Sequence, residues 1–289
     1  MSTGGLIEKG AVALVHRAAG LTMALAPARK EQVQTVARVV AVRDLGTATR
    51  RLTIAADTLR TFERSGPDEY VGLLMPERGA RLVMPADRPD PRAAVAAMPE
   101  GERPALRWYT IRAHRPEAGE IDVDVVRHGD SGPGSAWACR VGVGDEVGVR
   151  SAGSVYAGWR PGDAAAVDRV QLLVADETAL PAVCAIQEWL GNGPGRPVSL
   201  VHVEVPSVET VGVESIPAGA LVHERGDAAP GSAVLDVLAQ EPIPGLGYAW
   251  ICGEGSMVAA ARRHVMRGHG LDRRRISHSG YWRLGRPRP

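Results

Sequence analysis

The sequence predicts two unlike halves: an N-terminal antiparallel β-barrel followed by a C-terminal parallel α/β sheet with covering helices. Three observations lead there. Short strand-like runs broken by Gly and Pro fill residues 33–155, strand and helix patterns alternate after Trp159, and the texture changes near residue 160. The expected division is therefore an N-terminal segment (1–32), a barrel (33–160) and an α/β part (161–289). At 289 residues the chain is long enough for two cores, and no internal repeat makes one half a copy of the other.

Taken in order, Leu6 to Ala26 is fairly apolar but carries Lys9, His16 and Arg17 and lacks a signal-peptide cleavage pattern, so a short surface helix is expected there, not a membrane span. Strands are expected at Val36–Val42, Thr49–Ala55, Leu82–Pro85, Trp108–Ala113, Glu120–Val126 and Glu146–Arg150. The run Ile121, Asp122, Val123, Asp124, Val125 alternates strictly, as a half-buried antiparallel strand does. Between Arg88 and Pro104 a Pro/Ala-rich polar stretch reads as a long surface loop. Beyond Trp159 the expected order is strand Val170–Ala175, helix Ala179–Leu190, strand Val198–Val205, strand Ala220–His223, helix Ala233–Ala239, strand Gly247–Cys252 and helix Ser256–Arg267.

Composition narrows the function. Thirty-four basic against 33 acidic residues leave a formal charge of +1, so no global field draws the chain to nucleic acid or an anionic bilayer. Hydrophobic residues at 45% and charged residues at 23% are ordinary globular proportions. Only Lys9 and Lys30 are lysines; the arginine bias fits a GC-rich genome as well as bidentate anion contacts. Cys139, Cys184 and Cys252 are far apart with no Cys-x-x-Cys spacing, which indicates neither a disulfide framework nor a structural zinc site and fits a reducing cytoplasm.

The sharpest motif is Arg107-Trp108-Tyr109-Thr110-Ile111-Arg112. Residues two apart on a strand share a side, so Arg107 and Tyr109 can address one ligand, a phosphate with a flat ring; an edge strand with an ordinary surface arginine has the same spacing. This hexapeptide resembles the Arg-x-Tyr-Ser/Thr flavin motif of the ferredoxin-reductase superfamily, in the Arg-x-Tyr-Thr-x-Arg form of the siderophore-interacting protein family. Three further segments resemble that family in order, His128-Gly129 with Gly132-Pro133-Gly134-Ser135-Ala136-Trp137-Ala138; Asp176-Glu177-Thr178-Ala179-Leu180-Pro181-Ala182; and Gly280-Tyr281-Trp282-Arg283 with Gly285, while Cys252-Gly253-Glu254-Gly255-Ser256-Met257 resembles the superfamily's Cys-Gly-x-x-x-Met turn beside the nicotinamide site.

The resemblance implies an FAD-binding barrel and a nucleotide-binding-like α/β domain. The implied activity is a cytoplasmic reductase taking electrons from NADH, NADPH or a ferredoxin and passing them to a ferric siderophore. It assigns Arg107 to the FAD pyrophosphate, Tyr109 to the isoalloxazine and Thr110 to the vicinity of N5. Arg112, Val126, His128 and Trp137 belong to the implied cofactor set, the turn through Gly132, Gly134 and Ser135 supports phosphates, and Asp176, Thr178 and Ala179 meet the adenosine. Arg262 is the implied substrate contact. Ferric siderophores are held by hard oxygen ligands that bind Fe(III) far better than Fe(II), so one electron loosens the metal.

One departure stands out. In Asp68-Glu69-Tyr70-Val71-Gly72-Leu73-Leu74-Met75-Pro76 the family usually places a lysine of a basic siderophore cluster where this chain has Gly72, and a position often basic in the family is Ala259, with Arg262 and Arg263 nearby. Arg78 and Arg81 are possible substitutes that no spacing selects. The departure keeps open an oxidoreductase with another acceptor, and a siderophore-binding or flavin-storage protein without turnover.

Overall fold

Seven strands form the first sheet: β1 (Gln34–Asp44), β2 (Thr49–Ala55), β3 (Tyr70–Met75), β4 (Ala105–Thr110), β5 (Ala113–Arg115), β6 (Glu120–Val126) and β7 (Glu146–Gly153). The computed structural model describes residues 20–29, 31–127, 132–159, 169–191, 196–240 and 242–286. The order is β4-β3-β7-β1-β2-β6-β5 with every pairing antiparallel, a sheet curled into a partly closed barrel. The alternation in β6 works as expected. Ile121 and Val123 point inward opposite Ile54 and Leu52 of β2, and all four are fully buried. Each such side chain contributes about 1.5–3 kcal/mol relative to exposure.

The second sheet is wholly parallel, β10 (Leu221–Glu224), β9 (Val198–Val205), β8 (Val170–Asp176), β11 (Leu246–Glu254) and β12 (Ile276–Trp282) in that spatial order. Both faces of β8 are covered, which explains its continuous apolar run. Helices α3 (Leu180–Leu190), α4 (Val208–Val211), α5 (Ser232–Gln240) and α6 (Gly255–Gly268) connect it, while α1 (Pro91–Ala96) and α2 (Pro133–Arg140) belong to the barrel half. The strand order reverses between β8 and β11, the chain winding outward from β8 through β9 to β10 and then returning to β11 and β12 on the other side, and ligands of open α/β sheets bind at such a switch point, off the carboxyl ends of the strands.

Several elements differ from the sequence reading. Leu82–Pro85 is irregular, and the strand lies instead at Tyr70–Met75, whose burial between β4 and β7 removes the alternation that would mark it. The stretch Arg88–Pro104 holds α1, started by Pro91 and capped by Asp90, whose carboxylate accepts from Arg92 N and Ala93 N. β12 was not anticipated, because Ile276-Ser277-His278-Ser279 mimics a loop. The surface helix expected at Leu6 to Ala26 lies mostly outside the described residues; from Ala24 the chain runs beside β12, with Ala24 N donating to Ile276 O at 2.9 Å. Among the described residues no helix is long and apolar enough to cross a membrane.

The two halves are joined at Asp68. Its fully buried carboxylate accepts from Val155 N (3.1 Å) and Tyr156 N (3.0 Å) of the connecting segment, from Ser154 Oγ, and from Trp250 Nε1 of β11 (2.9 Å). Further ties run from Arg43 to Glu214 and, through the backbone, from Thr47 N to Glu209 O at 3.0 Å and Ala48 N to Thr210 O at 3.1 Å.

Candidate functional site

Where the two sheets meet, a cavity of about 270 Å³ is lined by Tyr109 and Thr110 of β4 on one side and by Thr178, Ser279 and Tyr281 of the α/β half on the other. β4 stands at the edge of its sheet order, and its motif faces this cavity and not open solvent. A larger, more open groove of about 930 Å³ runs past Arg112 and Glu188 and does not include the motif.

Beside the cavity, Arg107, Tyr109 and the start of α2 form one surface. Gly132 enters the helix at φ +87, and among the described residues no side chain caps the helix and the Arg107 guanidinium donates only to Leu106 O at 2.8 Å, with no carboxylate partner. Arg51, Arg112, Arg115, Arg150 and Arg225, by contrast, each hold a carboxylate. An unbalanced guanidinium beside an uncapped helix N-terminus is a site for an anion. Gly134 completes the cradle: a Cβ there would intrude on Tyr109 Oη and stand 3.5 Å from Arg107 Cγ. Burial pushes the Tyr109 hydroxyl up to about 12, so it stays neutral at physiological pH, a flat uncharged ring beside the cation. These residues fit a dinucleotide carrying a pyrophosphate and a flat ring. Gly134→Ala should press Tyr109 out of place and lower FAD affinity by about tenfold, read as the flavin-to-protein ratio after purification; an unchanged ratio contradicts the cradle.

The other expected residues divide. Thr178 reaches the cavity. Asp176 and Ala179 do not: both are fully buried. Arg112 is turned away and grips Glu188 of α3 through two bonds (2.6 and 2.9 Å), an ion pair between the halves. Val126 ends β6 without lining the cavity, Ser135 is buried in the first turn of α2, and Trp137, 3% exposed, is core of the barrel. His128 lies outside the described residues. Arg262 on α6 donates to Thr22 O at 3.1 Å and holds the N-terminal segment, away from the cavity.

Asp176 has a different job from the expected adenosine contact. One carboxylate oxygen accepts from Thr178 N (2.9 Å) and Thr178 Oγ1 (2.6 Å), the other from Glu254 N (2.7 Å) and Trp282 Nε1 (2.7 Å). It latches the ends of β8, β11 and β12 together across the switch point. Neighbouring helix ends are closed by the chain's own carboxylates: Glu204 accepts from Gly231 N, Ala233 N and Val234 N before α5, and Glu254 from Ser256 N and Met257 N at α6. Glu177 is held by Arg225 (both contacts 2.8 Å). Sequence spacing gave no sign of Glu204, whose partners lie at residues 231–234.

Burial, with Glu177 beside it, pushes the Asp176 carboxyl up to about 7. Because its folded pKa lies above the unfolded value near 4, the folded state binds the extra proton and this group's share of stability is full below about pH 4 and falls as pH rises toward about 7. Melting temperature should therefore fall between pH 5 and 7.5 more steeply in the wild type than in Asp176→Asn; parallel profiles mean that the four donors outweigh burial and contradict the raised pKa.

Tyr281 bridges the halves, hydrogen-bonded to Thr110 and to Cys252. Cys252 is fully buried and its thiol is raised well above the ordinary range by burial, so it is no thiolate nucleophile. Sequence reasoning also missed three residues that line the cavity, Tyr70, Trp108 and Arg92. Their signal was present only as Gly72, which lies under Trp108: a Cβ there would stand 2.7 Å from Leu106 Cδ1 and 2.9 Å from Trp108 Cζ3.

Comparison with known proteins agrees with this geometry. The profile of the siderophore-interacting FAD-binding domain matches residues 38–154, and that of the siderophore-interacting protein matches residues 168–285. The chain belongs to the siderophore-interacting protein family. Within it, the chain is 26% identical over 243 residues to the ferric vibriobactin reductase ViuB of Vibrio cholerae, covering 82% of this chain and 84% of that one. The siderophore-interacting protein SipS from Aeromonas hydrophila superposes with a TM-score of 0.68 at 28% identity, over 88% of this chain and 93% of that one. Phthalate dioxygenase reductase shares the fold at 11% identity, with a TM-score of 0.60 over 86% of this chain and 68% of that one. The architecture is thus ferredoxin-reductase-like, and the barrel half is an FAD-binding domain.

Proposed function

We propose that this chain is an FAD-dependent reductase that takes electrons from NADH, NADPH or reduced ferredoxin and delivers them to a ferric siderophore in the cytoplasm, releasing Fe(II). The observation that carries this reading is the cavity, which joins the Tyr109-Thr110 flavin motif to Thr178, Ser279 and Tyr281 of the second half. In this reading Arg107 and the backbone amides at the start of α2 hold the pyrophosphate, Tyr109 lies along the flat ring system and the Thr110 hydroxyl is a hydrogen-bond partner at its edge. The bound flavin supplies the change from a two-electron donor to a one-electron acceptor. No general base is needed, and the neutral Tyr109 and Tyr281 hydroxyls supply none.

The donor contact is constrained by the carboxylates that close the starts of α5 and α6. A pyridine nucleotide cannot place its phosphates on those amides without displacing Glu204 or Glu254. Anaerobic titration of the purified protein with NADH, NADPH and reduced ferredoxin, one at a time, identifies the donor by loss of the oxidised-flavin band; no loss with any of them contradicts the reductase reading. A second reading, reduction of an acceptor that is not a siderophore, is favoured by Gly72, which presents no cation.

A further inference from the structure

The bare backbone of Gly72 defines a wall of the cavity. Gly72 and Trp108 face each other across the β3–β4 pair, and with no side chain on Gly72 the Trp108 indole lies down over it. Tyr70 meets that indole edge-on, ring centroids 5.7 Å apart at 84°. Both rings are half-buried and both line the cavity beside Tyr109 and Thr110. The charges around it nearly cancel. Of the ionisable groups lining it, Asp90 caps α1, Asp124 is clasped by Arg51 at 2.6 and 2.8 Å, and only the exposed Arg92 guanidinium has no carboxylate partner among the described residues. Arg150, opposite Gly72 on β7, does not line the cavity: it is buried and bound to Asp87 and the Arg88 carbonyl.

We propose that Trp108 and Tyr70 form an aryl-binding wall that selects ferric chelates of low net charge bearing aromatic rings, over aliphatic or polyanionic ones. Stacked and edge-to-face contacts reward a flat ring, while a single exposed arginine cannot offset several negative charges entering a half-desolvated cavity. The inference rests on the ferric-chelate reading of the preceding section.

Two neutral complexes isolate the effect, because iron(III) tris(benzohydroxamate) and iron(III) tris(acetohydroxamate) have the same iron coordination and differ in the aryl ring; iron(III) tris(catecholate), a trianion, tests charge. Equilibrium dialysis of the oxidised holoprotein against each, with iron counted, should show the benzohydroxamate complex bound about tenfold more tightly than the acetohydroxamate complex, and more tightly than the trianion. Trp108→Ala should abolish the aryl preference and Trp108→Phe should keep most of it. Equal affinity for the two hydroxamates, or tightest binding of the trianion, overturns the proposal. The wild-type comparison decides the matter even if Trp108→Ala fails to fold. Should any of these chelates reoxidise the reduced flavin with no aryl preference in binding, this inference alone fails; should none reoxidise it while the aryl preference holds, the reductase reading fails and the wall stands.

Discussion

Arg107→Ala purifies with most of its FAD lost. Among the described residues the guanidinium has only the Leu106 carbonyl as partner and no carboxylate to balance it, so its removal breaks no ion pair there and removes the charge-assisted contact proposed to the pyrophosphate. Such contacts contribute about 2 kcal/mol, or roughly thirtyfold in affinity. Folding should be untouched, since Arg107 is bound to nothing but its neighbour's backbone among the described residues. Flavin content and the dissociation constant of FAD from reconstituted apoprotein are the measurements; full retention of FAD would sink the assignment. Arg107→Lys should recover the charge but not the two-pronged geometry, and fall between the two.

Asp68→Ala separates the halves. Removing this carboxylate leaves Val155 N, Tyr156 N, Ser154 Oγ and the buried Trp250 Nε1 without their acceptor. Buried donors left unsatisfied cost about 1–3 kcal/mol each, and allowing for relaxation the variant should lose about 3–5 kcal/mol, roughly 10 °C in melting temperature. Because the cavity is built from both halves, donor-driven flavin reduction should suffer more than FAD binding, whose proposed contacts at Arg107, Tyr109, Thr110 and the start of α2 lie in the barrel half. The split between the two readouts distinguishes a joint from a general scaffold residue: equal losses in both mean Asp68 only stabilises the fold.

Much of this was legible in the sequence where local physics dominates. The alternation of Ile121 to Val125 located β6, and the two-residue spacing of Arg107 and Tyr109 put both against α2. What could not be read were choices made between distant residues. Arg112 looks like part of the flavin motif, but its carboxylate lies 76 residues away on α3. Asp176 is expected at the adenosine, yet its carboxylate takes donors from Glu254 of β11 and Trp282 of β12, 78 and 106 residues on in the chain. Trp137 is read from its motif as a cofactor contact and is used as core, because α2 lays that face on the barrel. β3 hid because a strand covered on both faces has no period. Gly72 was visible as an absence; only the fold shows that Trp108 fills the space it leaves.

The central claim is that electrons leave the flavin for iron held in a chelate. The direct measurement is to reduce the bound flavin anaerobically with one equivalent of dithionite, remove excess reductant, and add a ferric siderophore with an Fe(II)-specific dye present. The account predicts recovery of the oxidised-flavin spectrum with about two Fe(II) trapped per flavin. A flavin that stays reduced while the chelate stays ferric contradicts it.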